Sequence, residues 1–110
     1  VEAPLGDFFC NGFATRANIV SLPIAVLPTG GMNSYFPMPF RDRARLTLAS
    51  ERPGPIEAVF FQIDYLQYFR ADNGHPPAAT PYFHAQWHRT PVTTPGQDHV
   101  ILNGARGRGA

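Results

Sequence analysis

The sequence contains no lysine, a single cysteine and only three serines. One cysteine cannot close an intrachain disulfide, and a cysteine-rich metal cluster is excluded. Ser21, Ser34 and Ser50 stand outside any nucleophile-elbow context. The glycines between Gly104 and Gly109 have the spacing of neither a P-loop nor a dinucleotide fingerprint. Charge is scarce as well, at 15% of residues with a net +1. That balance fits neither a disordered chain nor the basic footprint of a nucleic-acid-binding domain. No run approaches the ~18 apolar residues of a membrane-spanning helix. Neither a nucleic acid nor a membrane is expected as a partner.

What the chain does contain is punctuation. Twelve prolines and ten glycines in 110 residues leave little room for long helices, while 44% hydrophobic residues suffice for a modest core. This combination predicts one all-β domain of short strands and turns. All nine basic residues are arginine, a side chain suited to planar recognition of polar groups.

The most informative stretch is Gly30-Gly31-Met32-Asn33-Ser34-Tyr35-Phe36-Pro37-Met38-Pro39-Phe40-Arg41. Glycines at its start supply a turn, and alternate prolines hold its later part extended. Alternation places Asn33 and Tyr35 on one side and Ser34 and Phe36 on the other. Before it, residues 1–18 read as a loop-rich start around Asp7-Phe8-Phe9. Ile19 to Leu27 reads as a strand broken or bent at Pro23, and residues 28–31 as a turn. Arg43–Ala49 alternates as a half-buried strand. Ile56–Phe69 fits either a strand or one helical face, and its β-branched and aromatic content favours the strand. Asp72–Pro81 reads as a loop, Tyr82–Arg89 as a strand, Pro91–Gln97 as a loop and Asp98–Leu102 as a last strand. The glycine-rich residues 103–110 read as a turn. Phe36, Phe60 and Phe61 are expected in the core, and Cys10 as a small buried hydrophobe.

His84 and His88 share a face of an extended strand but lie roughly 13 Å apart, too far to ligate one ion. No metal or other cofactor is assigned. Among the carboxylates, Asp7 and Asp64 lie beside aromatic and amide residues. Asp7 is either a turn cap or a site residue, and Asp64 is expected to pair with an arginine on a neighbouring strand. Phe8, Tyr35, Phe36 and Trp87 offer faces for sugar C–H groups, although Phe36 is more readily a core residue. Asp7, Asn33, Gln86 and the arginines offer directional hydrogen bonds. Such a distribution suits carbohydrate contact, whether in an enzyme or in a non-catalytic binding or assembly module.

The strings VEAPLGDFF (1–9), GMNSYFPMPFRDRARLTL (31–48), FFQIDY (60–65), YFHAQWHR (82–89) and HVILNGARGRG (99–109) resemble glycoside hydrolase family 172. The resemblance runs in order along nearly the whole chain. It implies an incomplete jelly-roll β-sandwich, the N-terminal part of a retaining enzyme acting on fructofuranosyl or arabinofuranosyl linkages. It further implies trimer-based homo-oligomers with the sugar site near a subunit interface. By resemblance and chemistry together, Asp7, Phe8, Asn33, Tyr35 and Arg41 are the expected sugar-binding residues, with Gln86 and Trp87 behind them. The family's two catalytic glutamates lie in motifs, one reading like GTGTEDYF, that nothing in 1–110 matches. Glu2, Glu51 and Glu57 stand outside them, so no catalytic residue is assigned. Cys10 also stands where the family usually has glycine, and Ser34 where cysteine is common.

Overall fold

Two consecutive hairpins make the only sheet among the described residues. The structure is a computed structural model and describes residues 1–13, 15–68 and 80–107. Strands β1 (Ile19–Val20), β2 (Ile24–Val26) and β3 (Met32–Ser34) form an antiparallel meander in the order β1-β2-β3. The β1–β2 register pairs Ile19 with Val26 and Val20 with Ala25. The β2–β3 register pairs Ile24 with Ser34, Ala25 with Asn33 and Val26 with Met32. The expected strand at 19–27 is therefore two strands, and Pro23 marks a full reversal rather than a bend.

That reversal is closed by Ser21. Its hydroxyl donates to the Ile24 carbonyl at 2.7 Å and accepts from the Ile24 N–H at 3.1 Å. The Ser21 N–H also reaches the Ile24 carbonyl, at 3.0 Å. Pro23 has no N–H to give, but its carbonyl accepts from Tyr35 N–H at 2.8 Å and extends the β2–β3 ladder by one bond. Beyond Tyr35, Pro37 and Pro39 cannot donate, and the strand ends.

The second hairpin turns where the sequence predicts. Gly30 N–H bonds to the Leu27 carbonyl at 2.8 Å, and Leu27 N–H to the Gly31 carbonyl at 2.9 Å. Pro28-Thr29-Gly30 is thus a three-residue hairpin loop ending on a left-handed residue. Gly30, at φ +95°, takes that conformation without the Cβ penalty.

Register decides which face is core. Ile24 and Val26 are each 1% exposed and share their side of the sheet with Ile19, Met32 and Ser34. Val20, Ala25 and Asn33 occupy the other side, where Val20 is 95% exposed. The expected separation of Asn33 from Ser34 is therefore observed. Ser34 Oγ is enclosed without a hydrogen-bond partner.

Residues 1–18, expected to be loop-rich, contain one helical turn, α1 (Leu5–Phe8). Its end follows a definite pattern. Asn11 N–H bonds to the Gly6 carbonyl at 2.7 Å and Cys10 N–H to the Asp7 carbonyl at 3.0 Å, with Cys10 at φ +60°. These paired bonds around a left-handed residue make a Schellman cap. The cap places the Cys10 thiol on the surface, contrary to the buried position expected from its chemistry. Gly6 permits the close return of the chain, since a Cβ there would stand 2.6 Å from the Asn11 carbonyl oxygen.

Phe8 meets Phe9 edge-on at 5.1 Å between ring centroids and Phe83 at 6.2 Å, while Phe36 tilts against Phe83 at 5.3 Å. This aromatic run joins the helical turn, the end of the β3 ribbon and residues near Tyr82. Phe36 is in contact with it although part of its ring remains exposed.

The chain divides into two units, 1–38 with 81–110, and 39–80. The features above belong to the first. In the second, the described residues form no helix or strand, so the strands expected at 43–49 and within 56–68 are not formed. Phe60 and Phe61, expected in the core, are exposed. Asp64 accepts from Gln62 Nε2 at 3.1 Å, in place of the expected arginine. Apolar alternation makes a strand favourable only where a second strand supplies hydrogen-bond partners, and among the described residues none pairs with these. Most of the expected loop at 72–81 lies outside the described residues.

The strands expected at 82–89 and 98–102 also lack a backbone ladder. Side chains do part of its work. Gln86 Nε2 donates to the Asn103 carbonyl at 3.0 Å, and its Oε1 accepts from Asn103 N–H at 3.2 Å. Thr90 Oγ1 meets His99 Nδ1 at 2.7 Å. Moving four residues forward on one segment means four backward on the other, as in an antiparallel hairpin about the Thr94–Gln97 turn. The described fold is mostly β, with one three-stranded antiparallel sheet and a single short helix.

Candidate functional site

Asn33 and Tyr35 are carried by the β3 ribbon on the open face of the sheet. Asn33 Nδ2 donates to the Ala25 carbonyl across the ladder at 3.4 Å, a long bond that leaves the amide oxygen without a partner among the described residues. Tyr35 is fixed through its backbone to Pro23, while its side chain is 65% exposed. The pair presents an amide acceptor and an aromatic ring on an extended support. Stacking on sugar C–H groups and binding of hydroxyls need those two functions.

Asp7 lies in α1 and is exposed. Its Oδ1 stands over Gly12, 3.4 Å from where a Cβ would be, and no hydrogen bond holds it among the described residues. Phe8, expected as a stacking platform, instead has edge contacts to Phe9 and Phe83 and is half-buried. Gln86 is committed to the Asn103 backbone and accepts from His88 Nε2 at 3.1 Å. Because the Asn103 pair fixes the amide's orientation, His88 must carry its proton on Nε2 in that contact. His84 Nδ1 donates to the Tyr82 carbonyl at 2.9 Å. Trp87 is partly exposed beside Gln86. Arg41 belongs to the unit 39–80 and has a bonding partner of its own.

A shallow depression of ≈ 200 Å³ lies in the first unit, lined by Gly6, Asn11, Thr15, Arg16, Gly30 and Met32. It joins the loop after α1 to the β2–β3 hairpin. Met32 points toward it, so Asn33, its neighbour along the strand, leaves the sheet on the opposite side. Asp7 and Asn33 are not linked by any hydrogen bond among the described residues. The structure thus gathers Asn33 with Tyr35 on one face, and the Asp7-bearing turn with Arg16 near the depression.

Arg16 carried no signal in the sequence, where it stands in a stretch without periodicity. Only the return of the hairpin toward Asn11, Thr15 and Arg16 reveals its place. Asn11 Oδ1 accepts from Ala17 N–H at 2.8 Å and fastens that loop. Among the described residues no group of three or more histidines, cysteines or acids is arranged to hold a metal ion, and no helix is long and apolar enough to cross a membrane. Comparison of the chain with protein-family models, with curated proteins and with solved structures finds no match to any of them.

Proposed function

We propose that this chain is part of a retaining glycoside hydrolase acting on fructofuranosyl or arabinofuranosyl linkages, in which it supplies sugar-contacting wall. The observation that carries the reading is the ordered resemblance of five strings, from VEAPLGDFF to HVILNGARGRG, to glycoside hydrolase family 172. The position of Asn33 and Tyr35 on the open face of a short, register-fixed sheet supports it.

In this reading the described sheet is one part of a jelly-roll sandwich, and further strands pair with segments that have no ladder here. Asn33 takes a sugar hydroxyl on its free amide oxygen, and Tyr35 stacks on the ring. Asp7 accepts a second hydroxyl. Hydrolysis with retention requires two carboxyl groups about 5–5.5 Å apart, one attacking the anomeric carbon and one protonating the leaving oxygen. The reading assigns those roles to glutamates outside 1–110 and gives none to Glu2, Glu51 or Glu57. Assembly is through homo-oligomers, and the site needs no cofactor.

The test is hydrolysis of aryl fructofuranosides and arabinofuranosides by the polypeptide carrying this chain together with the segment read from the coding frame beyond Ala110. Asn33→Ala and Tyr35→Ala should each lower kcat/KM by about tenfold or more, the loss of one good polar or stacking contact. No turnover by the extended protein, with sugar binding retained, would favour a non-catalytic carbohydrate-binding module. Unchanged kcat/KM in both variants would remove these residues from the site.

A further inference from the structure

Asparagine is followed by glycine three times, at Asn11-Gly12, Asn73-Gly74 and Asn103-Gly104. Glycine has no side chain to keep its amide nitrogen away from the side-chain carbonyl carbon of the residue before it. Closure of that nitrogen on that carbon makes a cyclic imide and expels ammonia. Asn73 lies outside the described residues. The structure treats the other two differently. Asn11 is held: it and Gly12 are half-buried, its Oδ1 accepts from Ala17 N–H at 2.8 Å, and its own N–H closes the α1 cap. Asp7 Oδ1 stands 3.4 Å from where a Gly12 Cβ would be, and its negative charge opposes the anion that the Gly12 nitrogen must become to attack.

Asn103 and Gly104 are exposed, and among the described residues neither the Asn103 side-chain amide nor the Gly104 N–H is hydrogen-bonded. A Cβ on Gly104 would meet nothing within 4 Å, so the space for a ring is open. Only the backbone of Asn103 is engaged, by Gln86. Gln86 Nε2 donates at 3.0 Å to the Asn103 carbonyl oxygen, which belongs to the same peptide group as the Gly104 nitrogen. When that nitrogen loses its proton, the negative charge is shared with this oxygen, where a donor already points. Gln86 Oε1 accepts from both Asn103 N–H and His88 Nε2, and the two donors polarise the amide and strengthen its NH₂.

We propose that Asn103-Gly104 is a self-modification site that converts without an enzyme to aspartate and isoaspartate, with Gln86 stabilising the attacking amide anion. Hydroxide takes the Gly104 N–H proton, and the nitrogen attacks Asn103 Cγ. The N–Cγ bond forms, the Cγ–Nδ2 bond breaks, and Nδ2 leaves as ammonia with a proton from water. Water then opens the imide. Cleavage at Cγ leaves aspartate in an unaltered chain. Cleavage at the former peptide carbonyl leaves isoaspartate, with the chain running through Cβ and Cγ and a free α-carboxylate at the oxygen that Gln86 held. Overall one water enters and one ammonia leaves, with no oxidation or reduction. The assignment stands apart from the furanoside reading, because it involves neither a sugar nor a catalytic glutamate.

The experiment is incubation of the 110-residue chain in mildly alkaline buffer made with H₂¹⁸O, followed by peptide mapping in the mass spectrometer. The ¹⁸O label marks conversion during the incubation, and each asparagine is read on its own peptide. In the folded chain Asn103 should convert at least about fivefold faster than Asn11, the worth of one ordinary hydrogen bond on Asn11. In concentrated urea the two rates should converge. Gln86→Ala should slow Asn103 about threefold or more, and Gln86→Glu at least as much, because an anion replaces the donor. Asn11 is the internal control, and the Ile24 and Asn33 amides report that each variant keeps its sheet. The proposal is overturned if Asn11 converts as fast as Asn103 in the folded chain, or if their ratio survives in urea. It is equally overturned if Gln86→Ala leaves the Asn103 rate unchanged or raises it, since Gln86 would then be a restraint and not an activating donor.

Discussion

Replacing Cys10 with glycine should tighten the end of α1, although it removes a side chain and adds no contact. Cys10 sits at φ +60° in the left-handed position of a Schellman cap. An L-residue pays roughly 1–2 kcal/mol in that region, while glycine gives back roughly 0.5–1 kcal/mol through its greater freedom in the unfolded chain. The net expectation is a gain of about 0.5–1 kcal/mol for Cys10→Gly. Amide hydrogen exchange at Asn11 reads it directly, since that N–H makes the 2.7 Å bond to the Gly6 carbonyl that closes the cap. Exchange through local opening should slow about two- to fivefold. Cys10→Ala is the necessary control, because it removes the thiol but keeps the Cβ that creates the penalty. It should leave the rate nearly unchanged, and Cys10→Val should speed exchange. If Cys10→Gly exchanges as fast as the unaltered chain, or if alanine does as well as glycine, the backbone argument fails.

Ile24→Ala should cost about 2–4 kcal/mol in a urea titration followed by far-UV circular dichroism, the usual range for emptying an enclosed aliphatic position. Val20→Ala, on the exposed face of the same sheet, should change stability by less than about 0.5 kcal/mol, and equal effects would contradict the facing assigned by register. Gln86→Ala breaks both bonds to the Asn103 backbone, so the Asn103 amide should lose its exchange protection while the Ile24 and Asn33 amides keep theirs. With Phe60 and Phe61 95% and 82% exposed, the chain should associate in sedimentation velocity, and Phe60→Asp with Phe61→Asp should reduce that association. A monodisperse monomer before substitution would refute this expectation.

If the proposed kinship with glycoside hydrolase family 172 holds, Cys10 departs from a usual glycine, and the backbone supplies a physical reason for glycine there. Its φ is positive, and a side chain at that position costs energy whatever its chemistry. Ser34 likewise lies on the enclosed face with its hydroxyl unpaired, a place that suits a thiol better than an alcohol because a thiol is the weaker hydrogen-bonding group.

Local chemistry was enough to place the Pro28–Gly31 turn, an interruption at Pro23 and the opposite facing of Asn33 and Ser34, but not the reversal that the interruption turned out to be. A proline without an N–H, a glycine free to adopt positive φ and the two-residue period of an extended chain act within a few residues. The strands anticipated at 43–49, 56–69, 82–89 and 98–102 depended on something the sequence does not contain in any one stretch. A strand exists only with a partner, and pairing is settled by where distant segments meet. The same holds for single residues. Gln86 has the side chain of a sugar-binding amide, yet tertiary structure turns it onto the Asn103 backbone. Phe8 has the ring of a stacking platform, yet it meets Phe83. Arg16 lacked any distinguishing neighbour in sequence, and only the return of the β2–β3 hairpin set it against Gly30. Turns and facing were written locally, whereas each side chain's partner was decided by residues many positions away.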